Sequence, residues 1–312
     1  MAQIPAHSLS EYVKNVCEVN KSLVCNGAEK NEILLFRGQS TVNYELIPSI
    51  MRGKKYTQNA SLFAEERNLI ELAKYKLPDV FREEMQPIEL LAVLQHHGIP
   101  TRLLDVTESA LVALYFACCS NADADGEVFV FKNNELDVAN YPVINAIADS
   151  YRFARGSFTP LSIFYESVIR QPYFIEQYRQ NGFKENNLDA GGKWISECCK
   201  EPFFVYAPIR SLRQQIQRGR YILCHNTIKR IVNSDQEYFE RSIEPIKKDS
   251  DFIVCEIIIP KQNKSQIISD LSLMGISEET LFGDSVDIVC ESIVETCKRK
   301  SQGDRYWEKY NC

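Results

Sequence analysis

The sequence predicts an α+β fold: a single domain with a central mixed β-sheet covered by helices. Three observations lead there. Short apolar runs rich in branched and aromatic residues, such as EILLFRG (32–38), RLLDV (102–106) and FIVCEIIIP (252–260), read as strands. Longer amphipathic stretches with caps and breakers at their ends read as helices. At 312 residues and 45% hydrophobic, the chain has enough apolar material to build a full core.

In order, SLSEYVKNVCEV (8–19) is an amphipathic helix opened by a serine. EILLFRG is a strand ending in a turn. SLFAEERNLIELAKYKL (61–77) is a longer helix stopped by Pro78. A third helix has Pro87 near its first turn and ends at Gly98. The short strand 102–106 follows, then a helix capped by Thr107 or Ser109 and running through Cys119. DADGEVFVFK (123–132) continues as a turn and a strand. Residues 135–200 read as an inserted helical layer. FFVYAP (203–208) and RYILC (220–224) are strands, and FIVCEIIIP is apolar enough to be central and covered on both faces. Helices at about 263–274 and 284–299 close the chain. The division expected is an N-terminal helical segment (1–31), the main domain (32–300) and a C-terminal tail (301–312).

Composition removes several function classes. A net charge of -6 gives no global field toward nucleic acid or anionic membrane. No apolar run approaches the roughly 20 residues of a membrane span, and MAQIPAHSLSEYV has no basic-then-apolar leader pattern. The eleven cysteines form no CxxC pair, and Cys118–Cys119 and Cys198–Cys199 are adjacent, which suits tetrahedral zinc poorly. A reduced, cytoplasmic protein with neither a disulfide framework nor a metal is expected.

The chemistry concentrates in ELLAVLQHHGIPTRLLDVTESALVALYFA (89–117). Charges on a strand between two apolar helices are costly to bury, so Arg102 and Asp105 are either a structural pair or the floor of a ligand site. Arg37 sits at a strand end beside Gly38, a place for a functional side chain or for a solvated turn arginine. His97, next to His96 at a helix C-terminus, suits capping; the alternative is a site histidine facing strand 102–106. RSLRQQIQRGRYI (210–222) is basic but lacks the interleaved aromatics of a nucleic-acid strip. Glu256, alone in an apolar strand, either pairs with an arginine or serves chemistry. Neither GxGxxG nor GxxxxGK[ST] occurs, so a glycine-rich phosphate loop has no support. Because three motifs place polar groups at strand ends, Arg37, Gln39, Arg102, Asp105, Arg213 and Gln217 are expected to face one pocket.

FRGQ (36–39), LLAVLQHHGIPTRLLDVTESALVALYFA (90–117), DGEVFVF (125–131), the Arg213-x-x-x-Gln217-x-Gly219-x-Tyr221 run and the closing FIVCEIIIPK and LSLMGISEETLF blocks resemble the FRG domain family over about residues 32–290. Val106 stands where such sequences usually carry Trp, and Tyr221 where they often have Phe. The pattern also resembles, distantly, the ADP-ribosyltransferase core. On that resemblance Arg37 is the arginine of the first strand, Thr101 to Thr107 the hydroxyl-bearing second strand, and Glu256 the glutamate of a later strand, although no Gln/Glu-x-Glu motif precedes it. The resemblance implies a bacterial, NAD-utilising defence or toxin effector. Arg37 and Glu256 would be catalytic, and Gln39, His97, Arg102, Asp105, Thr107, Arg213 and Gln217 would bind a nucleotide-type ligand. A protein or nucleic acid would accept ADP-ribose. The competing class is a non-catalytic nucleotide-sensing or protein-interaction module, since the same residues can hold a nucleotide without chemistry.

Overall fold

Seven strands form the main sheet. In chain order they are β1 (Ala2–Pro5), β2 (Ile33–Gln39), β3 (Leu103–Thr107), β4 (Gly126–Asn133), β6 (Phe203–Val205), β7 (Gly219–Leu223) and β10 (Ile253–Ile259). Their spatial order is β1-β10-β4-β2-β3-β7-β6. All neighbours are antiparallel except the edge pair β1 and β10, which makes the sheet mixed. The strands expected from the sequence at 32–37, 102–106, 127–132, 203–208, 220–224 and 252–259 therefore share one sheet. The structure, a computed structural model, describes residues 2–25, 33–52, 62–133, 142–154, 156–175, 187–200, 203–208, 211–230 and 236–282. The predicted helix at 284–299 and the tail at 301–312 lie outside them.

Local signals account for most elements. Helix α1 (Leu9–Cys25) opens with a reciprocal cap: Ser8 Oγ accepts from the Glu11 amide at 3.2 Å, and the Glu11 carboxylate accepts from the His7 amide at 2.8 Å. The stretch at 62–77 starts as a 3-10 turn (Leu62–Glu65) before α2 (Glu66–Lys76), which stops ahead of Pro78. Helix α3 (Pro87–His96) ends as expected near Gly98, whose φ of 81° is left-handed. Ser109, not Thr107, caps α4 (Ala110–Cys118) by accepting from the Val112 amide.

Three features depart from the sequence reading. Residues 2–5 form a strand because parallel pairing with β10 supplies the ladder that four residues cannot make alone. β10 consequently lies one place in from the edge, still paired on both sides. The 135–200 layer holds α5 (Pro142–Ala148), α6 (Ser150–Phe153), α7 (Leu161–Val168) and α8 (Leu188–Cys198), but it also holds β5 (Phe158–Pro160). β5 joins β9 (Glu237–Glu240) and β8 (Ile228–Arg230) in a second, three-stranded sheet.

Helices cover one face of the main sheet in two groups. α1, α4 and α10 (Lys264–Leu273) pack over β10, β4 and β2 through Phe36, Val128, Val130, Cys255 and Ile257. α2, α3 and α5 to α8 form a second core that reaches Leu103, Val205, Tyr221 and Leu223 on β3, β6 and β7. The opposite face carries Leu35, Leu104, Val106, Phe129, Phe131 and Ile222, covered by Leu46, Ile50, Phe63, Ile243 and Phe252 from irregular segments.

Candidate functional site

β2 and β3 share a single aligned pair, Phe36 with Thr107. Beyond it the strands part, and this opening lies where the two helical groups meet. A cavity of about 300 Å³ fills it. Its walls are Phe36–Gly38 of β2, Asp105–Thr107 of β3, Gln95 and His96 at the end of α3, Val112, Ala113 and Phe116 of α4, and Arg213, Gln214 and Gln217 of α9 (Leu212–Ile216) and its C-cap. Gly219 and Tyr221 complete it from β7.

The contact of α4 with β2 and β4 is built from small residues. A Cβ on Gly38 would fall 1.8 Å from the Ala113 carbonyl oxygen, and one on Gly126 of the next strand 2.3 Å from that of Ala117. The glycine of the FRGQ motif therefore admits the helix backbone, and the spacing of Ala113 and Ala117 in ALVALYFA supplies the matching surface. This close seat brings the first turn of α4 to the cavity.

The polar residues have definite partners. Asp105 is exposed, with Gln95 Nε2 donating to its Oδ1 at 2.7 Å. Thr107 Oγ1 donates to the Gln217 carbonyl at 2.6 Å and accepts from the Ser109 amide at 2.9 Å, tying α9 to the start of α4. The Arg213 guanidinium lies 4.4 Å from the Phe282 ring centroid, and Gln217 Nε2 donates to the Leu281 carbonyl at 3.1 Å. Both contacts fasten the cavity wall to α11 (Glu278–Phe282), an element not expected from sequence. Arg37 Nη1 donates to the Asp105 carbonyl at 2.6 Å across the gap where the strands separate. Burial, then neighbouring Arg52, pull the Arg37 guanidinium down to about 10, which leaves it cationic at neutral pH.

The expectation of one shared pocket is corrected for Arg102 and Gln39, and the candidate site residues Glu256 and His97 also lie away from the cavity. Arg102 sits on the far face of the sheet, fully buried, and its partner is not Asp105. Its Nε donates to Glu66 Oε1 at 2.8 Å, its Nη2 to Glu66 Oε2, and its Nη1 to Asn226 Oδ1 at 3.0 Å, with Phe63 5.4 Å away. Strand alternation turns it from the cavity, and the buried carboxylate keeps it there. Gln39 is buried beneath β2 on that same far face. Glu256, also buried, accepts from Gln3 Nε2 at 2.8 Å, two strands from the cavity. His97 caps α3 and stands edge-on to Phe81 at 5.8 Å, while His96 is the histidine that borders the cavity. Asp105, Thr107, Arg213 and Gln217 do come together there, and Arg37, on the same face of β2 as Leu35 and Gln39, borders the cavity from beneath through its bond to the Asp105 carbonyl across the gap.

Several buried charges escaped the sequence reading. Glu66 occupies the apolar stripe of α2 with Ile70 and Ala73, and an acid at that spacing was the available signal. Buried Glu127 accepts from half-buried Lys248 at both its oxygens, at 2.8 and 2.9 Å. Lys264 donates to the carbonyls of Ser40, Ser120 and Asn121 at 2.7, 3.2 and 3.1 Å, beside the C-terminus of α4 where a cation suits the dipole. A second cavity, of about 450 Å³, lies between the end of α8 and residues 243–252, and the site residues expected from sequence do not line it.

Residues 32–126 match the model of the FRG domain. That match contains Arg37, Asp105, Thr107 and α4, whereas Arg213, Gln217 and β10 lie beyond it. No curated protein and no solved structure matches the chain. Among the described residues no helix is long and apolar enough to cross a membrane, and no three His, Cys, Asp or Glu side chains group as a metal site.

Proposed function

We propose that the chain uses NAD in an ADP-ribosyltransferase-like reaction, with the cavity between β2 and β3 taking the nicotinamide–ribose end. The observation that carries this is the exposed Asp105 carboxylate inside a cavity bordered by Arg37 and Arg213. In this chemistry the bond between ribose C1′ and the nicotinamide nitrogen breaks. Its electron pair leaves with nicotinamide, and positive charge develops on the sugar. A carboxylate at the ribose stabilises that charge and orients a hydroxyl, and arginines hold the pyrophosphate. An acceptor nucleophile then bonds to C1′ and loses its proton. Asp105 takes the carboxylate role in this proposal, because Glu256 is held by Gln3 away from the cavity. Phe36, Phe116 and Tyr221 offer faces for an aromatic ring. The acceptor would be a protein or nucleic acid, and a bacterial defence or toxin effector fits such an activity.

The position of Glu256 also favours a second reading, a nucleotide-sensing module that binds without chemistry. Purified protein incubated with labelled NAD and cell lysate separates the two. The transferase reading expects nicotinamide release and labelled product, with Asp105→Asn lowering release on the order of 100-fold or more while the variant still melts later with NAD. Binding without release would favour the sensor. Neither binding nor release would remove both.

A further inference from the structure

Beneath the cavity a row of buried polar groups leads away from Arg37. Gln39 follows Arg37 by two residues on β2, and Glu127 is the residue aligned with Gln39 on β4. With its amide oriented to suit both neighbours, Gln39 donates to Glu127 Oε1 at 3.0 Å and to the Tyr44 carbonyl at 3.3 Å, and accepts from Arg37 Nε at 3.3 Å. Glu127 is 1% exposed. Lys248 caps its other side and also donates to the Val42 carbonyl at 2.8 Å. We propose that Glu127 is a positioning residue for Arg37, acting through Gln39, so that the charge on this carboxylate sets how the arginine is presented to the cavity. The inference rests on the reading of that cavity as a ligand site.

The argument is one of donors and acceptors. An ionised Glu127 only accepts, so it draws the NH₂ of Gln39 toward itself and turns the amide oxygen to Arg37. Arg37 then spends Nε on Gln39 and Nη1 on the Asp105 carbonyl, which fixes the plane of its guanidinium beside the cavity. A protonated Glu127 can donate, which favours the reversed amide. Its NH₂ would then face the N–H of Arg37, donor against donor, and the arginine would lose its anchor. The charged groups around Glu127 are Lys248, Arg37 and Glu256, with Arg52 and Asp105 acting on Arg37. Burial pushes the Glu127 carboxyl up to about 7 against the opposing pull of Lys248, so the change falls near neutrality.

The test uses ¹⁵N-labelled full-length protein without ligand. The Arg37 Nε–Hε resonance, assigned by its loss in Arg37→Lys, is followed from about pH 5.5 to about pH 8.5, the range in which a raised carboxyl titrates. It should shift with a midpoint near 7 in the unaltered protein. The shift should vanish in Glu127→Gln. Should that variant fail to fold, Gln39→Met decides, since it removes the link and keeps Lys248 on Glu127; there the Arg37 shift should vanish while the Glu127 carboxyl, followed by ¹³C, still titrates. A resonance that ignores pH in the unaltered protein, or that titrates equally in Gln39→Met, overturns the relay. Added NAD is a separate arm: failure to move this resonance would count against the ligand site and leave the ligand-free titration to judge the relay.

Discussion

Arg37 and Arg102 are both arginines near short strands, yet their surroundings give them opposite work. Arg102 is fully buried and bidentate to Glu66, so Arg102→Ala would strand a buried carboxylate. That should cost about 3–5 kcal/mol, a large part of a domain's stability. Arg37 is half-buried and bonds the Asp105 carbonyl and Gln39, neither of them charged. Arg37→Ala should cost about 1 kcal/mol and remove ligand binding. Urea denaturation of the two variants, with NAD titrations on each, measures both effects. Equal midpoints for Arg102→Ala and the unaltered protein would mean that the Glu66 pair contributes nothing net.

At the scale of elements, the seat of α4 on β2 decides the most. Gly38 has no room for a methyl group because Ala113 backbone fills the space, so Gly38→Ala must push the helix off the strand. A loss of about 3 kcal/mol or more is expected, together with a distorted cavity wall. Gly98 is the contrast. Nothing lies within 4 Å of its missing Cβ, and only its φ of 81° resists a side chain. Gly98→Ala should cost about 1 kcal/mol. Chemical denaturation of the pair should rank them in that order; the reverse order would show that the close helix–strand approach is easily relaxed. At the start of the same helix, Ser109→Ala should cost about 1 kcal/mol by removing the bond to the Val112 amide, and unchanged stability would show the cap to be idle.

For the whole molecule, two buried carboxylates shape the response to pH. Burial raises Glu127 to about 7, and raises Asp149 to about 6 despite bonds from Arg152 and Tyr173. The folded state therefore holds these protons more tightly than the unfolded chain. Their contribution is fully present below the ordinary values of 4.5 and 3.8 and is lost as pH rises through about 7 and about 6. Folding stability should carry a component that declines from about pH 4 to about pH 7 and then levels. Glu127→Gln should flatten the upper part of that decline, Asp149→Asn the lower. Urea midpoints across this range test it, and a stability that climbs steadily to pH 7 in the unaltered protein with no change in either variant would refute it.

The local pattern of residues was sufficient for most of the main sheet: alternating or continuous apolar runs marked six of its strands, and Ser8, Pro78, Pro87, Gly98 and Ser109 marked helix ends. It also pointed to the FRG match and to the polar motifs at 36–39 and 102–105 within it. These properties are local because backbone geometry, capping and burial of a face act over a few residues. Pairing is not local. That Arg102 takes Glu66 from 36 positions away, that Glu256 takes Gln3 from the far end of the chain, and that Gly38 answers to Ala113 all depend on strand order and helix seating. The tertiary structure alone decided which charged groups share a cavity, because a polar side chain at a strand end faces whichever side the register and alternation of that sheet assign it.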